Sequence, residues 1–241
     1  MSAPNYVVYF ILLSSIGIIA AALAGLRVAV SRADWKQSQR VATLRTMTVL
    51  LPLWFAAAVV LSYAGAFRGT LNAAPTIEFG IFLPIIVGLV WLWRSATAKR
   101  LLDAVPQSWL VGLQFYRVIG AIFLVMYAQG RMPAAFALPA GAGDVAIGLL
   151  APIVALAYAR GVAGRELLVG GWNLLGLLDL ANAITTGFLT SPSPLQVLSL
   201  DAPNQLISEF PLVLVPVFGV PLAVILHVAS LIKLSRPPIG A

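Results

Sequence analysis

Seven polar residues interrupt the apolar stretches of this sequence: Gln114, Arg117, Asp144, Asn173, Asp179, Asn182 and His227. One guanidinium, two carboxylates and one imidazole are the groups of charge pairing and proton exchange, and the three amides are groups that orient them. The chemistries left out narrow the reading. A single histidine cannot build a multi-histidine metal or haem site, and a chain without cysteine has no disulfide and no thiolate site. His227 has no nucleophile at a recognised spacing, and Gly-x-Ser-x-Gly, His-Glu-x-x-His and phosphate-loop patterns do not occur. Neither a metal nor a cofactor is therefore expected.

The elements that must hold these residues follow from composition. Of 241 residues, 61% are hydrophobic and 10% charged, and the mean hydropathy is +0.98, far from the usage of soluble domains. A helix needs about 20 apolar residues to cross a hydrocarbon layer of roughly 30 Å. Seven stretches qualify, at about 6–30, 46–67, 75–93, 110–129, 136–159, 167–189 and 211–231. The sequence predicts an all-α fold: an integral membrane bundle of seven transmembrane helices, forming one domain over residues 1–241. The first stretch has no basic residue before Arg27, unlike the charged lead of a cleavable signal, and reads as a retained helix.

The net charge of +7 would suggest nucleic acid in a soluble domain, but here it follows membrane sidedness. Arg27, Arg32, Lys36, Arg40, Arg45, Arg94, Lys99, Arg100, Arg160, Arg165, Lys233 and Arg236 all fall at one set of helix ends, while the opposite loops carry only Arg68 and Arg131. Basic loops face the cytoplasm, which places the N-terminus outside and the C-terminus inside. Trp91, Trp93 and Trp109 stand beside the inner charges as interface anchors. The expected partner is the lipid bilayer, with a protein partner or a second copy of the chain as further candidates and no nucleic acid.

At 100° per residue, small and polar residues share faces. In the fifth span these are Asp144, Gly148, Ala151, Ala155 and Ala159; in the sixth, Asn173, Gly176, Asp179, Ala183, Thr186 and Gly187. The fourth aligns Arg117, Ala121, Leu124 and Ala128, and the seventh Pro216, Gly219, Val220, Ala223, His227 and Ser230. Small residues let membrane helices approach closely, so the polar faces are also the packing faces. A rise of about 1.5 Å per residue puts Arg117, Asn173 and His227 roughly 9–11 Å from the basic boundary, Asp179 about 20 Å and Asp144 about 24 Å deep. Arg117 is long enough to bridge the tiers, and an Arg117–Asp179 pair with Asp144 beside it is expected. Asp144 has a second reading: Pro139, Gly141 and Gly143 could start the fifth helix late and leave Asp144 as its outer cap. The same residues, with Pro133, could break the helix at the outer mouth.

Two longer features complete the organisation. The 190–210 connection opens Ser-Pro-Ser-Pro and continues with Leu and Val residues, as a cap lying in the interface would. Aligning Gly17 with Gly148 also lays Ala20 on Ala151, Ala24 on Ala155 and Glu78-Phe79 on Glu209-Phe210. That correspondence relates the first span to the fifth and the third to the seventh, a parallel three-plus-one-plus-three repeat of a kind found in transporters.

Gly143-Asp144 with Gly148, Trp172-Asn173 with Gly176 and Asp179, and VPVFGVPLAVILH ending in His227 resemble a family of uncharacterised bacterial polytopic membrane proteins. The resemblance covers residues 115–231 and implies a multi-pass protein of the bacterial cytoplasmic (inner) membrane, with no activity attached. Microbial rhodopsins share the helix number, but Lys233 stands at the inner end of the last span, away from the mid-span position of a retinal Schiff base. Three functional classes remain. A small-solute or proton-coupled transporter would use the polar seam as its pathway; a non-catalytic assembly subunit would use it for packing; an intramembrane enzyme lacks a visible nucleophile.

Overall fold

A computed structural model describes residues 3–69 and 76–236. Seven of its helical segments are long and apolar enough to span a membrane, and no strand occurs among the described residues. The first three spans are α1 (Asn5–Arg32), α2 (Gln37–Tyr63) and α3 (Ile77–Arg94). The expected start of the third span at Pro75 lies outside the described residues. α2 begins well ahead of residue 46 and carries Arg40 and Arg45 in its opening turns, because hydropathy marks only the apolar part of a helix that continues past the lipid boundary.

On the basic face, between the third and fourth spans, the chain forms a short helix, α4 (Ala96–Ala104). Ser95 Oγ accepts from the Ala98 amide at its start, 3.3 Å away, as an N-cap does. Ala98, Leu101 and Leu102 face inward, while Lys99, Arg100 and Asp103 face out.

The fourth span is not one α-helix. α5 (Gln107–Leu113) gives way to a 3-10 stretch over Gln114–Gly120 before α6 (Ala121–Ala128) resumes. In a 3-10 helix residues three apart eclipse one another, and Gln114, Arg117 and Gly120 are accordingly its buried line, which α6 takes up with Ile122, Phe123 and Met126. This corrects the face expected from a 100° spacing, since Leu124 is only half-buried and Ala128 is exposed.

The fifth span, α7 (Ala134–Ala159), runs unbroken through Pro139, Gly141 and Gly143. The expected break at its mouth is absent, and Asp144 is a buried residue well inside the helix, not its cap. The glycines serve contact instead of bending: a Cβ on Gly141 would lie 2.8 Å from Leu124 Cγ, and one on Gly148 2.7 Å from the Val118 amide nitrogen. The fourth span thereby seats directly on α7, which packs in turn against α8 (Arg165–Thr190).

Irregularity appears in the seventh span. Pro211 to Leu214 form a turn, Val215–Gly219 form a π-helical stretch, and α9 (Val220–Leu234) follows. Pro216, near the start of this stretch, and Pro221, just after its end, supply no amide hydrogen to an α ladder. Non-helical backbone at membrane depth is tolerated where protein covers it, and Pro216, Val217 and Phe218 are buried. Phe218 lies between Trp54 and Phe55 of α2, with ring centroids 4.7 and 5.0 Å away. The 190–210 connection divides in two. Leu195, Val197 and Leu200 are exposed, whereas Asn204, Leu206, Ile207 and Ser208 are buried against the helices they cap.

Candidate functional site

Arg117, from the 3-10 stretch, is the hub of a buried polar cluster. Its Nε donates to Asp144 Oδ1 at 2.8 Å, and its Nη2 approaches the same oxygen to 2.7 Å. Nη2 also bonds Asp179 Oδ2. Nη1 donates to the Gly176 carbonyl at 3.2 Å and to His227 Nε2 at 3.1 Å. One side chain of the fourth span thus holds residues of α7, α8 and α9.

The donor–acceptor roles fix the imidazole. Arginine has no acceptor, so His227 Nε2 must accept and Nδ1 must carry the hydrogen. Nδ1 then donates to Asn173 Oδ1, 2.8 Å away. Asn173 Nδ2 donates to the Val169 carbonyl and to Ser230 Oγ, both at 2.8 Å. Ser230 Oγ also accepts from Gln107 Nε2 at 2.6 Å. A chain of hydrogen bonds therefore runs from the two carboxylates through Arg117, His227, Asn173 and Ser230 to Gln107 at the basic end of α5. Both nitrogens of His227 are engaged, leaving neither to a metal.

Glycines clear the space for this crowding. A Cβ on Gly143 would fall 1.6 Å from Asp179 Oδ1, one on Gly120 2.4 Å from Asp144 Cβ, and one on Gly176 2.4 Å from His227 Cε1. Gly143-Asp144 and the Gly176 to Asp179 spacing thus each place a gap beside a charge.

Of the seven residues singled out from sequence, five form the cluster: Arg117, Asp144, Asn173, Asp179 and His227. Gln114 stands beside it, donating to the Ala223 carbonyl at 3.0 Å. Asn182 is exposed on α8 and joins nothing, one turn past the buried face. Sequence reading missed Gln107, Ser230 as a hydrogen-bonding partner, and Tyr116, whose hydroxyl donates to the Gly219 carbonyl at 2.6 Å. Tyr116 and Gln114 together tie the 3-10 stretch to the π-helical stretch and the start of α9.

Two small cavities meet at Asp144. One is lined by Ile11, Ser15 and Ile18 of α1 with Tyr116, Arg117 and Phe218. The other runs from Gly69, Ser191, Ser193 and Ser208 on the face opposite the basic one down to Asp144, Val215 and Val220. Their volumes are about 30 and 50 Å³, room for a few water molecules at roughly 10–15 Å³ per position. Asp144 Oδ2 and Asp179 Oδ1 accept no hydrogen bond among the described residues.

Residues 74–235 match the family described as Domain of unknown function (DUF8737). No curated protein and no solved structure matches the chain. The resemblance seen over residues 115–231 falls inside this range, which extends it across the third span.

Proposed function

The chain belongs to this family of unknown function, and we propose that it is a proton-coupled membrane transporter whose coupling site is the Arg117 cluster. The observation that carries the reading is a charge imbalance beside water-sized space. Asp144 and Asp179 contribute two negative charges, Arg117 one positive charge, and His227, accepting from arginine, none. A buried uncompensated charge is costly, and one proton on the carboxylate pair balances the cluster. Each carboxylate keeps one free oxygen for it, and Asp144 lines both cavities.

The two sides of the site differ. A cavity of water-sized volume extends to Asp144 from the face opposite the basic one. On the basic side the path is hydrogen-bonded but closed to proton hopping, because the amides of Asn173 and Gln107 do not readily take up and release protons. Transport then requires rearrangement, and the 3-10 and π-helical stretches, joined by Tyr116 and Gln114, are the hinge. With basic loops inside, the open side is the exterior of a bacterial inner membrane. The internal repeat relating the first span to the fifth and the third to the seventh accords with such rocking.

Proton flux in proteoliposomes holding the full chain tests this. Flux is expected above that of empty vesicles, to fall at least about tenfold with Asp179→Asn or Asp144→Asn, and to persist with Asn182→Ala. Flux untouched by Asp179→Asn, or none from the native protein, overturns the reading. A second reading, an assembly subunit, draws on α2, of which only 11% of the apolar window is buried. A stoichiometric partner retained through mild detergent extraction would favour it.

A further inference from the structure

Away from the charge cluster, two wide spaces lie along α1. A groove of about 600 Å³ opens between α1 and the fourth span, lined by Phe10, Ser14, Gly17 and Ala21 on one wall and by Gly112 and Phe115 on the other. Its volume falls within the roughly 300–1,000 Å³ of small-molecule sites, and its walls are almost wholly apolar. From Phe10 to Ala21 it extends about 16 Å along the helix. A Cβ built on Gly17 meets nothing within 4 Å.

At the basic end of the same helix lies a polar cleft of about 930 Å³, lined by Arg32, Trp35, Lys36, Gln39, Arg100 and Asp103 among others. Asp103 is already bonded by Arg236, at 2.9 Å. The side chains of Arg32, Lys36 and Arg100 have no ion pair or hydrogen bond among the described residues. Against them stands one unpaired carboxylate, Asp34, also in the cleft. Asp34 can offset one of the three cations, and the cleft keeps a surplus of positive charge.

Groove and cleft lie along one face of α1. Ser14 and Arg32 are about five turns apart, on a single line of α1, and Ala21 and Gly25 lie close to that line. Between groove and cleft the Trp109 ring lies flat on the helix, so close that a Cβ on Gly25 would sit 2.1 Å from it. The order along α1 is apolar trough, tryptophan, cations, the order of acyl chain, interface and phosphate, and the near part of the trough, at Ala21 and Gly17, stands about 16 and 22 Å from Arg32, within the roughly 20–22 Å half-thickness of a bilayer.

We propose that this surface is a binding site for one anionic glycerophospholipid, its acyl chain in the α1 groove and its phosphate held by Arg32, Lys36 and Arg100. Charge complementarity selects an anionic headgroup over a zwitterionic one, and the groove selects a lipid over free phosphate. The site is separate from the Arg117 cluster and holds whether or not protons move there.

Native mass spectrometry of the full chain in detergent tests it, with phosphatidylglycerol, phosphatidylcholine of the same chains, and inorganic phosphate as probes. One phosphatidylglycerol should remain bound with at least about tenfold preference over phosphatidylcholine. Arg32→Gln with Arg100→Gln should abolish the preference, and Gly17→Leu should weaken retention of both lipids. The arginine variants should melt with the native protein, and Gly17→Leu should not melt below it. Equal retention of the two lipids, a preference that survives the arginine substitutions, or displacement of lipid by inorganic phosphate each overturns the proposal. So does a dimer dissociated by Gly17→Leu, which would make the groove's occupant a second copy of the chain.

Discussion

The spans before residue 70 and those after residue 106 are built on different physics. In the seventh span 56% of the apolar window is buried, against 22% in the first and 11% in the second. The late spans contain every member of the charge cluster, while α1 offers it only the cavity-lining residues Ile11, Ser15 and Ile18, and α2 lines neither cavity. The family match, residues 74–235, takes in all four of these late spans together with α3. In lipid there is no hydrophobic force between helices, so association depends on close packing and on polar contacts. The late spans have both, through glycine gaps and a shared guanidinium. The early spans present apolar faces that bilayer lipid covers equally well, and they are held by a few contacts such as Phe218 between Trp54 and Phe55.

The sharpest break to this contrast is removal of the hub. Arg117→Leu leaves two buried carboxylates without their cation, and thermal unfolding in detergent should show a loss of about 3–5 kcal/mol. Gly143→Ala should cost about 1–3 kcal/mol, since the new methyl collides with Asp179 and overpacking is paid in displaced side chains. Asn173→Leu strips His227 of its acceptor and Ser230 of a donor, and should cost about 1–3 kcal/mol. Nitrogen-15 spectra of His227 in bilayers should show Nδ1 protonated in the native protein and lose that single tautomer in this variant. On α1 the same kind of change has the opposite sign: Gly17→Ala meets open space and should stabilise by about 0.4–1 kcal/mol through the unfolded chain. A destabilising Gly17→Ala would erase the distinction between the two regions.

How much of this was legible in the sequence varies with the backbone. Where the chain is regular α-helix, periodicity found the right residues: Asp144, Gly148 and Ala151 of α7 and Asn173 and Gly176 of α8 are all buried as their spacing predicts. Where the backbone changes pitch, it failed. A 3.6-residue repeat puts Leu124 and Ala128 beside Arg117, but the 3-10 stretch aligns Gln114 and Gly120 with it instead, and Phe123 and Met126 are the buried residues that follow in α6. Proline and glycine misled in α7, where they signalled a broken mouth, because sequence cannot separate a glycine that bends a helix from one that admits a neighbour. Asn182 illustrates the remaining limit. It is three residues past Asp179, yet it lands outside the cluster, since a polar residue type does not say which way its side chain faces.

The account rests on Arg117 and the carboxylates acting as one unit, and a double-mutant cycle measures that directly. Arg117→Ala, Asp179→Ala and the double variant should be compared by unfolding in the same detergent. The account predicts non-additivity of about 1–3 kcal/mol, with the double variant less destabilised than the sum of the two single changes. Additivity within about 0.5 kcal/mol would mean that the two side chains do not interact, and would contradict it.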